Sequence, residues 1–132
     1  MRTAIAAAVV LMFCGSAEAQ NFSGYKCKIQ HSLQLGRDGS PQQPALPEHY
    51  RNMEFIIDRT SGRMLGGTAS EWKQAVWDRG SDQQSFKAVY TSHAGFVHVQ
   101  LLQIEEFAQG GVKPFLLVDG TRTHMGTCTH LS

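Results

Sequence analysis

The chain has no basic run and no basic patch. Its 12 lysines and arginines stand against 11 aspartates and glutamates, a net charge of +1. Nucleic acid and anionic membrane both select dense positive charge, so both are poor partners. Beyond the first residues no apolar stretch approaches the roughly 20 residues that span a bilayer, and the remainder is expected to need no membrane. Cysteine is scarce, at three residues, and no two of them have the C-x-x-C spacing of a redox pair. No G-x-S-x-G elbow frames a serine. Glu105 and Glu106 are sequence neighbours, which in an extended strand point to opposite faces and form no acid–base pair. No residue is therefore assigned a catalytic role, no cofactor is implied, and the protein is read as a non-enzyme. There is no internal repeat and no convincing long helix.

What is present begins with an export signal. Arg2 gives a positive start, Ala4 to Phe13 is unbroken apolar chain, and Ala17-Glu18-Ala19 offers small residues for a signal peptidase. The apolar run is too short to anchor in a bilayer. Phe13 stands before Cys14 where lipoprotein processing requires a small residue. Cleavage is thus expected after Ala19, leaving residues 20–132 as one domain, periplasmic or secreted. The signal takes Arg2, Glu18 and Cys14 with it. Net charge is unchanged, and Cys27 and Cys128 remain as an even pair. In an exported protein such a pair reads as one disulfide, here joining the two ends of the domain.

The remaining pattern is that of strands. Tyr25, Cys27, Ile29, His31, Leu33 and Leu35 alternate with polar residues, so they are expected to share one face of a half-buried strand. Met53 to Ile57 and Arg63 to Gly67 flank Asp58-Arg59-Thr60-Ser61-Gly62, a hairpin turn. Trp72 to Trp77 reads as a strand or a helical turn, and Ser85 to Tyr90 as a strand. Phe96 to Phe107 changes phase, which a β-bulge near Leu101-Leu102 would reconcile. Asp119-Gly120 turns Pro114 to Val118 into Thr121 to Cys128. About eight short strands predict an all-β fold, a small antiparallel up-and-down barrel with a sandwich as the alternative. A disulfide between the first and last strands requires them to lie within about 7 Å, which favours a closed barrel.

Several residues invite a functional reading. His124, Cys128 and His130 are metal-type ligands in a short run. Strand geometry puts His124 and Cys128 about 13 Å apart, Met125 faces the other side, and Cys128 is committed to Cys27, so no metal is assigned. His31 reads as a packed histidine. Pro41, Pro44 and Pro47 recur with the three-residue period of polyproline II and form a candidate recognition strip in the long connection. Trp72, Trp77 and Tyr90 read as core or barrel-mouth residues.

The segments from Phe55 to Met64, Gly80-Ser81 to Phe86-Lys87-Ala88, Leu102 to Phe107, Lys113-Pro114-Phe115 and Gly126-Thr127-Cys128 together resemble a family of short exported bacterial proteins of unknown function. That resemblance implies export and a single domain, and brings no activity. Tyr25-Lys26-Cys27 and Ser61-Gly62 are more distantly similar to the periplasmic lysozyme inhibitors, small disulfide-bonded β-barrels with a Ser-Gly-x-x-Tyr loop. Leu65 stands here where that loop has its aromatic residue. The expected function is a non-enzymatic exported barrel that binds a protein partner or a small apolar ligand. Inhibition of an envelope-acting hydrolase such as lysozyme, and metal handling, are the alternatives.

Overall fold

The computed structural model describes residues 23–131. The expected export signal, residues 1–19 with Cys14, lies outside them. The chain forms β1 (Gly24–Leu35), β2 (Pro41–Gln42), α1 (Pro47–Tyr50), β3 (Glu54–Asp58), β4 (Met64–Gly66), β5 (Lys73–Arg79), β6 (Phe86–Ser92), β7 (His98–Ile104), β8 (Val112–Asp119) and β9 (Arg122–Leu131). All pairings are antiparallel, in the order β4-β3-β1-β9-β8-β7-β6-β5, with β2 against the far end of β1. The sheet curls into an open barrel. Its hydrogen-bonded order begins at β4 and ends at β5, and side chains bridge the seam between them. Arg59 donates from Nε to the Arg79 carbonyl (2.6 Å) and from Nη2 to the Gly80 carbonyl (2.7 Å). Tyr90 Oη donates to the Gly62 carbonyl at 2.6 Å.

First and last strands are neighbours, as the cysteines require. Cys27 and Cys128 stand directly opposite each other in the β1–β9 ladder and are disulfide-bonded across 101 residues of sequence. In the chain-entropy view, closing a loop that long stabilises by about 4–5 kcal/mol. The interior is built in layers that follow the register. Phe86, Ile104, Phe115, Gly126 and Ile29 form one ring of cross-strand partners, and Ala88, Leu102, Leu117, His124 and Ser32 the next. Toward the mouth, the end that carries Ser92 and Leu35, the ring becomes polar: Gln100, Asp119, Arg122 and Gln34. Tyr25, Phe55, Ile57 and Met64 fill the base.

Two bulges correct the expectations from sequence. The β1–β9 register shifts between Ile29 and His31. Residues 24–29 follow the expected alternation, but past Gln30 the faces exchange. Ser32 turns inward against His124, while His31, Leu33 and Leu35 leave the expected face and turn outward. The extra residue is what exchanges them, since side chains alternate with a period of two. A second shift falls between Val76 and Asp78. It puts Trp77 in the solvent, 70% exposed, where the sequence suggested a core or mouth position. Trp72 packs against the core and Tyr90 is fully buried. The bulge expected near Leu101-Leu102 does not form. β6 and β7 pair in continuous register from Phe86↔Ile104 to Ser92↔His98, with Leu102 inward and Leu101 outward.

Gly126 sits where the first bulge brings β1 closest. A Cβ built there would meet the Lys28 carbonyl oxygen and lie 2.9 Å from the Phe115 ring. Both are fixed, so relief requires backbone movement. Gly126→Ala is expected to destabilise by about 3 kcal/mol or more, read as the shift in urea midpoint. An unchanged midpoint would show that the β1–β9 contact is slack.

Candidate interaction face

Antiparallel barrels usually alternate, apolar inward and polar outward. Here β7 and β8 are apolar on both faces. Leu102, Ile104, Phe115 and Leu117 point inward and are buried. On the outer face Val89, Leu101, Val118, Thr123 and Leu33 are successive cross-strand partners, with Ala75 next to Val89. Adjacent to this row stand Val99 on one side and the Leu116–Met125 pair on the other. Val99 is 49% and Leu116 is 36% exposed. The band runs into a groove of about 380 Å³ walled by Leu33, Leu35, Pro41, Thr123 and Met125. Apolar surface of this kind on a small domain is a candidate interaction face. The phase change that blurred Phe96 to Phe107 in the sequence was its trace, because strands apolar on both faces read as unbroken apolar runs.

The three prolines separate in space. Pro41 pairs with Leu35 and walls the groove. Pro44 is buried, and Pro47 opens α1 at a position where its missing N–H costs nothing. They do not form one polyproline strip; Pro41 alone joins the apolar face. His31 is exposed rather than packed. The histidines of the metal-like run also separate. His124 is fully buried beneath α1, Cys128 is bonded to Cys27, and His130 lies at the base beside Glu106. Among the described residues no three histidine, cysteine or acidic side chains gather as a metal site.

The turn after β3 is rigid. Asp58 accepts from the Thr60 backbone N–H (2.9 Å) and from Ser61 Oγ (2.9 Å), as aspartate does in Asx turns. Gly62 takes φ = +76°, and a Cβ there would lie 2.9 Å from Val76 Cγ2. With its carbonyl held by Tyr90 and Arg59 bound across the seam, the turn is fixed from both sides.

Sequence reasoning missed the group that seals the base. Glu106 lies just past the end of β7, where the chain turns, and is 9% exposed. Tyr25 Oη donates to it at 2.7 Å, and His130 Nε2 lies 2.9 Å from Oε1. The Arg59 guanidinium, 5.9 Å over the Tyr25 ring, approaches Glu106 to 3.9 Å. Burial pushes the Glu106 carboxyl up. The hydrogen bonds from Tyr25 and His130, and the charges of His130 and Arg59, outweigh that and hold it below the usual carboxylate range. Tyr25 is shifted the other way, upward, by burial first and then by its bond to Glu106. Every member has a partner, so the cluster is a structural clamp of β1, β9 and the seam. The only signal in the sequence was an acidic residue immediately before Phe107-Ala108-Gln109-Gly110.

A carboxyl more acidic when folded than unfolded stabilises fully above the ordinary glutamate value of about 4.3, and that stability is lost as pH falls through the lower folded value. Urea midpoints measured from pH 7 down to pH 3 are expected to fall on the acid limb. Glu106→Gln should lower the midpoint at pH 7 and flatten that limb. An equal acid slope in both proteins would remove Glu106 from the clamp.

No family model, curated protein or solved structure matches this chain. The functional reading therefore rests on the site itself.

Proposed function

We propose that the protein is an exported, non-enzymatic β-barrel that binds a protein partner through the outer apolar face of β6–β9 and β1. The observation that carries this is the two-sided apolarity of β7 and β8. Burying an apolar face is the main favourable term in association; among the described residues Leu116 stays exposed and Leu101, Val118 and Met125 stay partly exposed on this face. The groove beside Pro41 suits one apolar anchor side chain of the partner, in the manner of an interface hot spot. The barrel interior supports a partner over an enclosed small ligand, since Tyr25, Phe55, Phe86, Leu102, Ile104 and Leu117 fill it. The disulfide suits an oxidising compartment. Crosslinking in the native host's envelope is expected to capture one protein with the unaltered chain. It should capture none with Val99→Lys/Leu116→Lys, whose stability should stay within about 0.5 kcal/mol. Equal capture by both chains would move the interface elsewhere.

A second reading, inhibition of an envelope-acting hydrolase, is favoured by the rigidity of the turn from Asp58 to Gly62. A loop held in its bound shape loses little entropy on docking, and Thr60, Ser61 and Arg63 are exposed on it. Lysozyme assayed against excess protein is expected to slow under this reading, and Ser61→Trp should relieve the effect. Full lysozyme activity at high excess removes the best-known target.

A further inference from the structure

One edge of β1 has a gap in its pairing. In an antiparallel strand, successive residues aim their backbone N–H and C=O groups to alternate sides. Leu35 N–H donates to the Thr121 carbonyl on the β9 side. Leu33 therefore faces β9 as well, and Ser32 and Gln34 face the other edge. There Gln34 has Gln42 of β2 opposite. Ahead of the bulge Ile29 faces this same edge, and its N–H and C=O are taken by Met53 and Asn52. Ser32 lies between the two pairings. Among the described residues no strand residue stands opposite it on this edge, and no backbone bond from a loop reaches it.

The gap opens into space. A cleft of about 170 Å³ is lined by five consecutive residues, Ile29 to Leu33, and by Gln43, Pro47 and Arg51 of the connection through α1. Side chains of neighbouring strand residues point to opposite faces, so it is the edge of β1 that borders the cleft. Ser32 is half-buried there. Its backbone offers one donor and one acceptor, whose roles depend on no protonation state or tautomer. An unpaired strand edge is a template for further chain, and a peptide group carries the matching acceptor and donor. β2 and the exit of α1 bound the gap at its two ends, so only a short stretch enters. Leu33 borders both this cleft and the apolar groove beside Pro41. Chain paired with Ser32 thus lies next to a pocket for an apolar side chain.

We propose that the gap takes a short extended stretch of the protein partner's backbone, hydrogen-bonded to Ser32 N–H and C=O, with an adjacent apolar side chain in the groove. The inference rests on the protein-partner reading and adds the form of the partner's contact, an extended segment.

The probe is a phage-displayed library of random seven-residue peptides, panned on the full chain with its disulfide intact. Enriched peptides, synthesised and added to ¹⁵N-labelled protein, are expected to shift the Ser32 amide resonance and slow its hydrogen exchange. Methylating the peptide nitrogen that pairs with Ser32 should weaken binding about tenfold, the loss of one hydrogen bond. Methylating the next nitrogen, which faces away, should not. Ser32→Pro removes the donor that faces the gap without removing a bond to β9, and should abolish the binding. Ser32→Ala, which loses only the Oγ contact with His124, should keep it. No enrichment, an unmoved Ser32 amide, or equal loss at every methylated nitrogen overturns the proposal. If Ser32→Pro does not fold, the amide and the methylation series still decide. The apolar-face reading fails separately, when Val99→Lys/Leu116→Lys leaves envelope capture unchanged, whatever the peptides do.

Discussion

β1 and β9 open and close the described chain, and the barrel exists because they lie side by side. Their ladder runs almost the full length of both strands, from Gly24↔Leu131 to Gln34↔Arg122. Bringing such distant segments together is entropically expensive for an open chain. The Cys27–Cys128 bond removes much of that cost by holding the two strands in register toward the base end of the ladder. From β5 to β9 the chain is a run of hairpins, each strand paired with the next. The β1–β3 pairing reaches further, and the β1–β9 closure is the longest-range pairing of the described strands. The covalent bond is placed where pairing alone would form most slowly.

The bulge at Gln30 gives the closure its second consequence. Without it, one face of β1 would stay inward along its whole length, and the polar mouth would have an apolar wall. The extra residue sends Ser32 to His124 and turns Leu33 outward, next to Thr123. On its other edge β1 carries the exit of α1, through Ile29 N–H to the Met53 carbonyl and Asn52 N–H to the Ile29 carbonyl, which extend the β1–β3 ladder. Tyr50 reaches His124 and Arg122 by way of that docking.

Much of this was legible in the sequence. The turns at Asp58–Gly62 and Asp119–Gly120, the strand count and the disulfide all follow from local chemistry: turn residues, alternation and an even cysteine pair. What escaped has a common cause. Bulges at Gln30 and Trp77 carry no compositional mark, since neither residue differs from what a regular strand allows there. They shift the phase of everything after them, which is why His31, Leu33 and Trp77 were expected on the wrong faces. Leu101-Leu102 shows the converse: a phase change that read as a bulge is a regular strand with two apolar faces. Glu106 and Arg122 were invisible because their partners, Tyr25 and Tyr50, come from segments 81 and 72 positions away in sequence.

The two ends of the barrel differ in how their polar groups are satisfied. At the base, Glu106, Tyr25, His130 and Arg59 satisfy one another, and Lys113 donates to the Ala108 carbonyl. Such a network holds the fold together. At the mouth, Arg122 Nε and His124 Nε2 have no hydrogen-bond partner among the described residues. The uncovered apolar band approaches this end too, because Leu33 and Thr123 belong to the strand segments that carry Ser32, Arg122 and His124. Consecutive residues of β1 thus face the two unsatisfied surfaces, Ser32 inward to the polar mouth and Leu33 outward to the apolar groove. The bulge that exchanges their faces determines both.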